Sequence, residues 1–282
     1  MSAEHPGAPK TAPMLTVDGM QRWFGGLRSV DVEHLEIESG FVTSLIGPNG
    51  AGKTTLFNLL TGFDRANQGT CNLAGNDVTG WPAHRLARAG MVRTFQLTRS
   101  MTRLSVVENV KLAAQNQRGE RLYRAPFARS WRQQEQENQE RAIELLTRFG
   151  LGHMINEYAG TLSGGQRRLL ELSRALMLEP RLLMLDEPMG GVNPALSQTI
   201  MDHLRQLAAE GMTILLVEHD MDMVMGVSDW VVCMAEGRII SEGRPATVAA
   251  DGVVVDAYLG AGYRARQRDA GDSPAAVEGE SL

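Results

Sequence analysis

Cysteine is almost missing from this chain: Cys71 and Cys233 are the only two in 282 residues. That excludes a disulfide-stapled fold and a four-cysteine zinc site, and it suits a reducing compartment. Long apolar runs are missing too. No uncharged stretch approaches the roughly 18–20 residues of a membrane span. The opening MSAEHPGAPKTAP has no apolar core of a signal peptide. The expectation is a chain that neither crosses nor enters a membrane by itself. A basic excess is also absent: Lys plus Arg number 28 against 33 Asp plus Glu, a formal charge of −5. A protein built mainly to grip nucleic-acid phosphates shows the opposite balance, so no nucleic-acid partner is expected. There are no internal repeats and no sustained heptads.

What remains is ordinary globular composition, with 43% apolar and 22% charged residues, long enough for a full core. Residues 1–13 read as a disordered leader, and 261–282, poor in apolar periodicity, as a flexible tail. Between them, Met14–Val17 and Val32–Ile37 alternate like strands. Phe41–Ile46, Arg181–Asp186 and Met212–Val217 are continuous apolar runs of strand length. Thr54–Leu60 and Pro194–Ala209 have helical patterns, Trp230–Met234 and Arg238–Ser241 form a hairpin around Glu236-Gly237, and Val253–Leu259 is a helical end. Buried strands alternating with helices predict an α/β fold with a mainly parallel sheet. The first strands add an antiparallel β region. Residues 97–178 lack a strand and contain the helix-favouring Gln133–Arg148. They are assigned to an inserted helical subdomain, leaving 14–96 and 179–260 as the core.

Gly47-Pro48-Asn49-Gly50-Ala51-Gly52-Lys53-Thr54 fits G-x-x-x-x-G-K-[ST] between a strand and a helix start. Glycines let successive N–H groups turn inward as an anion nest, and the helix N-terminus adds its dipole. Lys53 is placed to reach the β- and γ-phosphates of a bound nucleotide, and the Thr54 hydroxyl to ligate Mg²⁺. Thr55, the next residue, is counted with the nucleotide loop. Asp186 and Glu187 end the apolar strand RLLML. Asp186 at that position can hold Mg²⁺ through water, and Glu187 can polarise an attacking water as general base. His219, just past MTILLV, is placed to contact the γ-phosphate and orient that water.

Leu162-Ser163-Gly164-Gly165-Gln166 lies upstream of Asp186. Together with the phosphate loop, Gln96, Asp186-Glu187 and His219, in that order, it resembles the ATP-binding cassette of ABC transporters. The likeness covers about residues 14–260. It implies a P-loop ATPase whose Ser163, Gly164, Gly165 and Gln166 form a second phosphate-binding element, one that holds ATP bound to the opposite subunit of a head-to-tail dimer. It also implies that Phe24, in RWFGG, stacks on adenine, needing only its ring face. Gln96, in VRTFQ, would touch Mg²⁺ and water. Met189–Pro194 would cross the dimer interface, with Asn193 standing where many cassettes have Asp.

VRTFQLTRSMTRLSVVENV, VEHDMDMVMGVSD and the ending DAYLG are similar to ATP-binding subunits of branched-chain amino acid uptake systems. These belong to the hydrophobic amino acid and urea uptake group. The partners so implied are two transmembrane permease subunits, a sister ATPase or a second copy, and an extracytoplasmic solute-binding protein. The place implied is the cytoplasmic face of the cell membrane. Rival expectations are the ATPase of a lipopolysaccharide-type exporter or urea importer, a soluble ABC ATPase acting on DNA or ribosomes, and a regulatory module without hydrolysis. Arg118–Arg132 mixes arginines with Tyr123, Phe127 and Trp131, and is read as a solvated helical face rather than a single-stranded nucleic-acid surface.

Overall fold

A computed structural model describes residues 10–94, 101–115 and 129–259. Its centre is a six-stranded sheet ordered β10-β9-β3-β8-β7-β6. The inner strands β3 (Val42–Ile46), β7 (Leu182–Asp186) and β8 (Thr213–Val217) are buried at every residue. β6 (Met91–Arg93) and β9 (Trp230–Ala235) extend the parallel set, and β10 (Arg238–Gly243) closes one edge antiparallel to β9. Continuous apolar runs form such strands because both faces are covered. Leu183, Leu185, Ile214 and Leu216 face one apolar cluster, while Leu182, Met184, Leu215 and Val217 face another.

The second cluster is shared with an antiparallel sheet, β2-β1-β4-β5. It comprises β1 (Pro13–Phe24), β2 (Leu27–Glu38), β4 (Gln68–Leu73) and β5 (Asn76–Asp77). Helix α1 (Lys53–Leu60) lies in the same cluster, with Leu56, Phe57 and Leu60 buried. A short α2 (Ala83–Arg88) precedes β6. The ordered strand begins earlier than the assigned 1–13 leader allows. The N–H groups of Lys10, Thr11 and Ala12 donate to Glu36 and Glu38, and Pro13 pairs with Glu38.

Helices cover the other face: α3 (Val106–Lys111), α4 (Arg129–Arg148), α5 (Gly164–Met177) and α6 (Pro194–Ala209). α5 buries Leu169, Leu172 and Leu176 at helical spacing. Val106, Val110, Leu146, Phe149 and Leu170 belong to the same cluster as Leu183 and Ile214, so the helices and the sheet share one core. Between residues 101 and 178 the described chain has no named strand, only a bridge between Ser105 and Tyr158. α7 (Met221–Val227) and α8 (Pro245–Ala249) flank the β9–β10 hairpin, and residues 252–259 are helical. Among the described residues no helix is long and apolar enough to cross a membrane. Gln96, most of Arg118–Arg132 and the 261–282 tail lie outside the described residues.

Candidate active site

Four parallel strands deliver their C-terminal ends to one rim of the sheet, where α/β folds place ligands. Gly47 follows the last residue of β3, Glu218-His219 follow β8, Asp186 ends β7 with Glu187 next, and Arg93 ends β6. Glycine is required at two points of the first loop. At Gly47 (φ 146°) a Cβ would stand 2.1 Å from the Met234 carbonyl oxygen, and at Gly52 (φ 100°) 2.5 Å from that of Ser29. Gly52 caps α1 with no side-chain bond, so the opening N–H groups of α1 have no side-chain cap. Asn49, Gly50 and Thr54 are exposed and Pro48 half-buried, while Ala51 packs into the core. Thr55 Oγ1 meets Ser29 Oγ at 3.1 Å, tying α1 to β2.

Lys53 is buried, and its Nζ donates to the carbonyls of Gly47 (2.6 Å) and Pro48 (3.0 Å), spanning the loop it belongs to. Burial pushes its ammonium below the usual lysine range, partly offset by the Glu187 carboxylate. Glu187 itself has a left-handed backbone, φ 46°, a conformation costly for a non-glycine residue and typical of functional sites. Its N–H donates to Val217 O at 3.0 Å. His219 Nδ1 stands 3.8 Å from Glu187 Oε1, with the imidazole largely exposed. Phe24 is exposed at the end of β1, with the Arg22 guanidinium 4.6 Å above its ring.

Ser163 caps α5 in a reciprocal box. Its hydroxyl accepts from Gln166 N–H (3.3 Å), and Gln166 Oε1 accepts from Ser163 N–H (2.9 Å). The capping role and a ligand role are compatible, because the box uses the Gln166 N–H and leaves Gly164 and Gly165 at the first two helical positions. A Cβ at Gly164 would meet nothing within 4 Å, whereas one at Gly165 would strike Leu196. Among the described residues no hydrogen bond joins Ser163–Gln166 to the phosphate loop. Asn193 caps α6, accepting from Leu196 N–H at 2.9 Å, so Asn in place of Asp keeps the cap and loses only the charge.

Arg93 and Glu218 were not singled out from the sequence. Arg93 Nη2 donates to Asp186 Oδ2 at 2.6 Å, both side chains being buried, and Nη1 reaches Asn58 Oδ1 (2.6 Å) and Thr61 Oγ1 (3.2 Å) at the end of α1. Breaking one side of a buried ion pair costs about 3–5 kcal/mol. Arg93→Met is therefore expected to lower the melting temperature by about 6–15 °C. A calorimetric midpoint within a degree of wild type would show that the pair contributes nothing. Cys71 and Cys233 are buried and their thiols are pushed up to about 12, which makes them poor nucleophiles.

Thr54 and Asp186 offer the hard oxygen donors that Mg²⁺ takes. Among the described residues no cluster of three or more His, Cys, Asp or Glu suits a metal. The Thr54 and Asp186 oxygens fit a Mg²⁺ that takes its remaining ligands from phosphate and water.

A glycine loop between a buried strand and a helix, a buried lysine within it and an Asp-Glu pair on a nearby strand end define a P-loop nucleoside triphosphatase. A family model described as ABC transporter matches residues 30–190. The chain is similar to the probable branched-chain amino acid transport ATP-binding protein LivG of Archaeoglobus fulgidus, at 38% identity over 88% of this chain and 96% of the relative. It is similar also to the high-affinity branched-chain amino acid transport ATP-binding protein BraF of Pseudomonas aeruginosa, at 40% identity over 88% and 98%. Its fold matches the crystal structure of the ADP conformation of an ATP-binding cassette of an ABC transporter. The TM-score is 0.77 at 37% identity, covering 89% of this chain and all of the other. The chain belongs to the ABC transporter family, as one of its ATP-hydrolysing cassettes.

Proposed function

We propose that this chain is the ATPase subunit of an importer for branched-chain amino acids or a related small solute, working on the cytoplasmic face of the cell membrane. The solute class rests on the relatives' names and on their match over nearly their whole length. Two permease subunits, a second cassette and an extracytoplasmic binding protein complete the system in this reading.

The observation that supports the mechanism is a second glycine-rich helix start, Ser163–Gly165, that shares no hydrogen bond with the phosphate loop among the described residues. The phosphate loop ends β3 and faces Asp186 and Glu187, whereas Ser163–Gly165 start α5 with bare backbone at Gly164. A second chain, arranged head to tail, brings its Ser163–Gly165 onto the ATP held by Lys53. On ATP arrival Lys53 exchanges the Gly47 and Pro48 carbonyls for phosphate oxygens, and Phe24 offers its ring face to the base. Thr54 and Asp186 would hold Mg²⁺, which would supply charge neutralisation at the transferring phosphoryl group; Gln96 is a further ligand only as the family likeness implies. Glu187 takes a proton from the attacking water and His219 orients it. Lys53 stabilises the charge that develops on the phosphate.

The test is to isolate the chain from gently solubilised native membranes and identify by mass spectrometry what comes with it. Two multi-span proteins and a second cassette are the expected companions. Ribosomal or DNA-bound proteins with no membrane protein would leave the ATPase standing and overturn the transport reading.

A further inference from the structure

His219 Nδ1 lies 3.8 Å from two carboxylates, Glu187 Oε1 and Glu218 Oε2. Glu218 is buried in the rim of the sheet, 1% exposed, and each of its oxygens accepts a backbone N–H from a different strand end. Oε1 takes the N–H of Met189, two residues past Glu187, and Oε2 takes the N–H of His219, each at 3.3 Å. The turn between them is held at further points: Glu187 N–H donates to Val217 O at 3.0 Å and Gly190 N–H to Glu187 O at 3.1 Å. Glu187 sits in this turn with its left-handed φ of 46°, a strain that persists only where its surroundings fix it.

We propose that Glu218 is a positioning residue: its carboxylate brackets the Glu187–Gly190 turn to His219, and so sets the spacing of the base and the imidazole over the attacking water. The inference deepens the hydrolysis mechanism above and rests on it. It also gives a route for coupling, because a shift of the Met189–Pro194 loop pulls on Oε1 while Oε2 holds His219. A neutral apolar residue would satisfy neither N–H. Burial pushes the Glu218 carboxyl above the ordinary carboxylate range, so its stability contribution is complete only below that range and is lost as pH rises through the raised value.

Glu218→Gln is the discriminating variant. It keeps size and shape but turns one acceptor into an NH₂ donor, which then faces the N–H of either Met189 or His219. In the full chain with its partners, kcat for ATP is expected to fall about 10- to 100-fold, as for a misplaced catalytic group. KM and nucleotide affinity should stay within about twofold, because Lys53 and its loop are untouched. The melting temperature should stay within a few degrees of wild type, since size and shape are kept. Hydrogen exchange at the Met189 and His219 amides should quicken, while the core amides of β8 keep their protection. Unchanged kcat, or unchanged exchange at both amides, overturns the proposal. So does a fall in melting temperature accompanied by a raised KM, which marks a general packing role. Absence of ATP hydrolysis by the wild-type complex is a different failure: it takes down the mechanism and the bracket together.

Discussion

Glu187→Gln is expected to bind ATP with unaltered affinity and to hydrolyse it about 10²–10⁴ times more slowly, the range of general-base contributions. The substitution is isosteric and leaves the backbone anchor to Val217 in place. It removes only the group that can take a proton beside His219. Binding with no turnover should hold the ATP-bridged pair of chains together, so the variant should run as a dimer with ATP and Mg²⁺ and separate with ADP in analytical ultracentrifugation. Near-normal turnover would move the base elsewhere.

Lys53→Ala should act on the opposite parameter, nucleotide affinity. The ammonium already spends two hydrogen bonds on Gly47 and Pro48, which holds it inside the loop where the phosphates enter. Burial desolvates this cation, and such a cation gains strongly from a phosphate partner. Two charge-assisted bonds at about 1.5–3 kcal/mol each make the loss a hundredfold or more in Kd for ATP. Titration with a fluorescent nucleotide measures it, and an unchanged Kd would refute the loop's role. The fold should survive, because the apolar face of α1 does not include this side chain.

The parts of the fold legible in the sequence were those with an unambiguous period. The runs now seen as β7 and β8 are apolar at all but one residue because both faces are covered, β3 buries Thr43 and Ser44 among its apolar residues, and α6 matches its assigned Pro194–Ala209. β4, β6 and α2 were not legible. QGTCNL is too polar, and MVR and AHRLAR too short, to carry a pattern. β1 runs on to Phe24 past a register irregularity between Asp18 and Gln21, near Gly19 with its φ of 57°. That break in alternation cut the assigned strand short.

The site divides the same way. Residues in fixed motifs stood out at once, because loop chemistry dictates their spacing. Arg93 and Glu218 carry no such spacing. Arg93 meets Asp186 only because β6 pairs with β7, 93 positions away, and Glu218 meets Met189 only because β7 pairs with β8. The one sequence signal for either was a charged residue at the edge of an apolar strand, where an unpaired charge would be costly to bury.

The most direct test of the transport account is uptake of radiolabelled leucine into proteoliposomes. The chain is assembled there with its co-purifying membrane partners and the binding protein, with ATP supplied on the cassette side. Uptake that requires ATP, and that disappears when this chain alone carries Glu187→Gln, is the predicted result. Uptake that proceeds equally with Glu187→Gln, or ATP hydrolysis that no branched-chain amino acid stimulates, would contradict it.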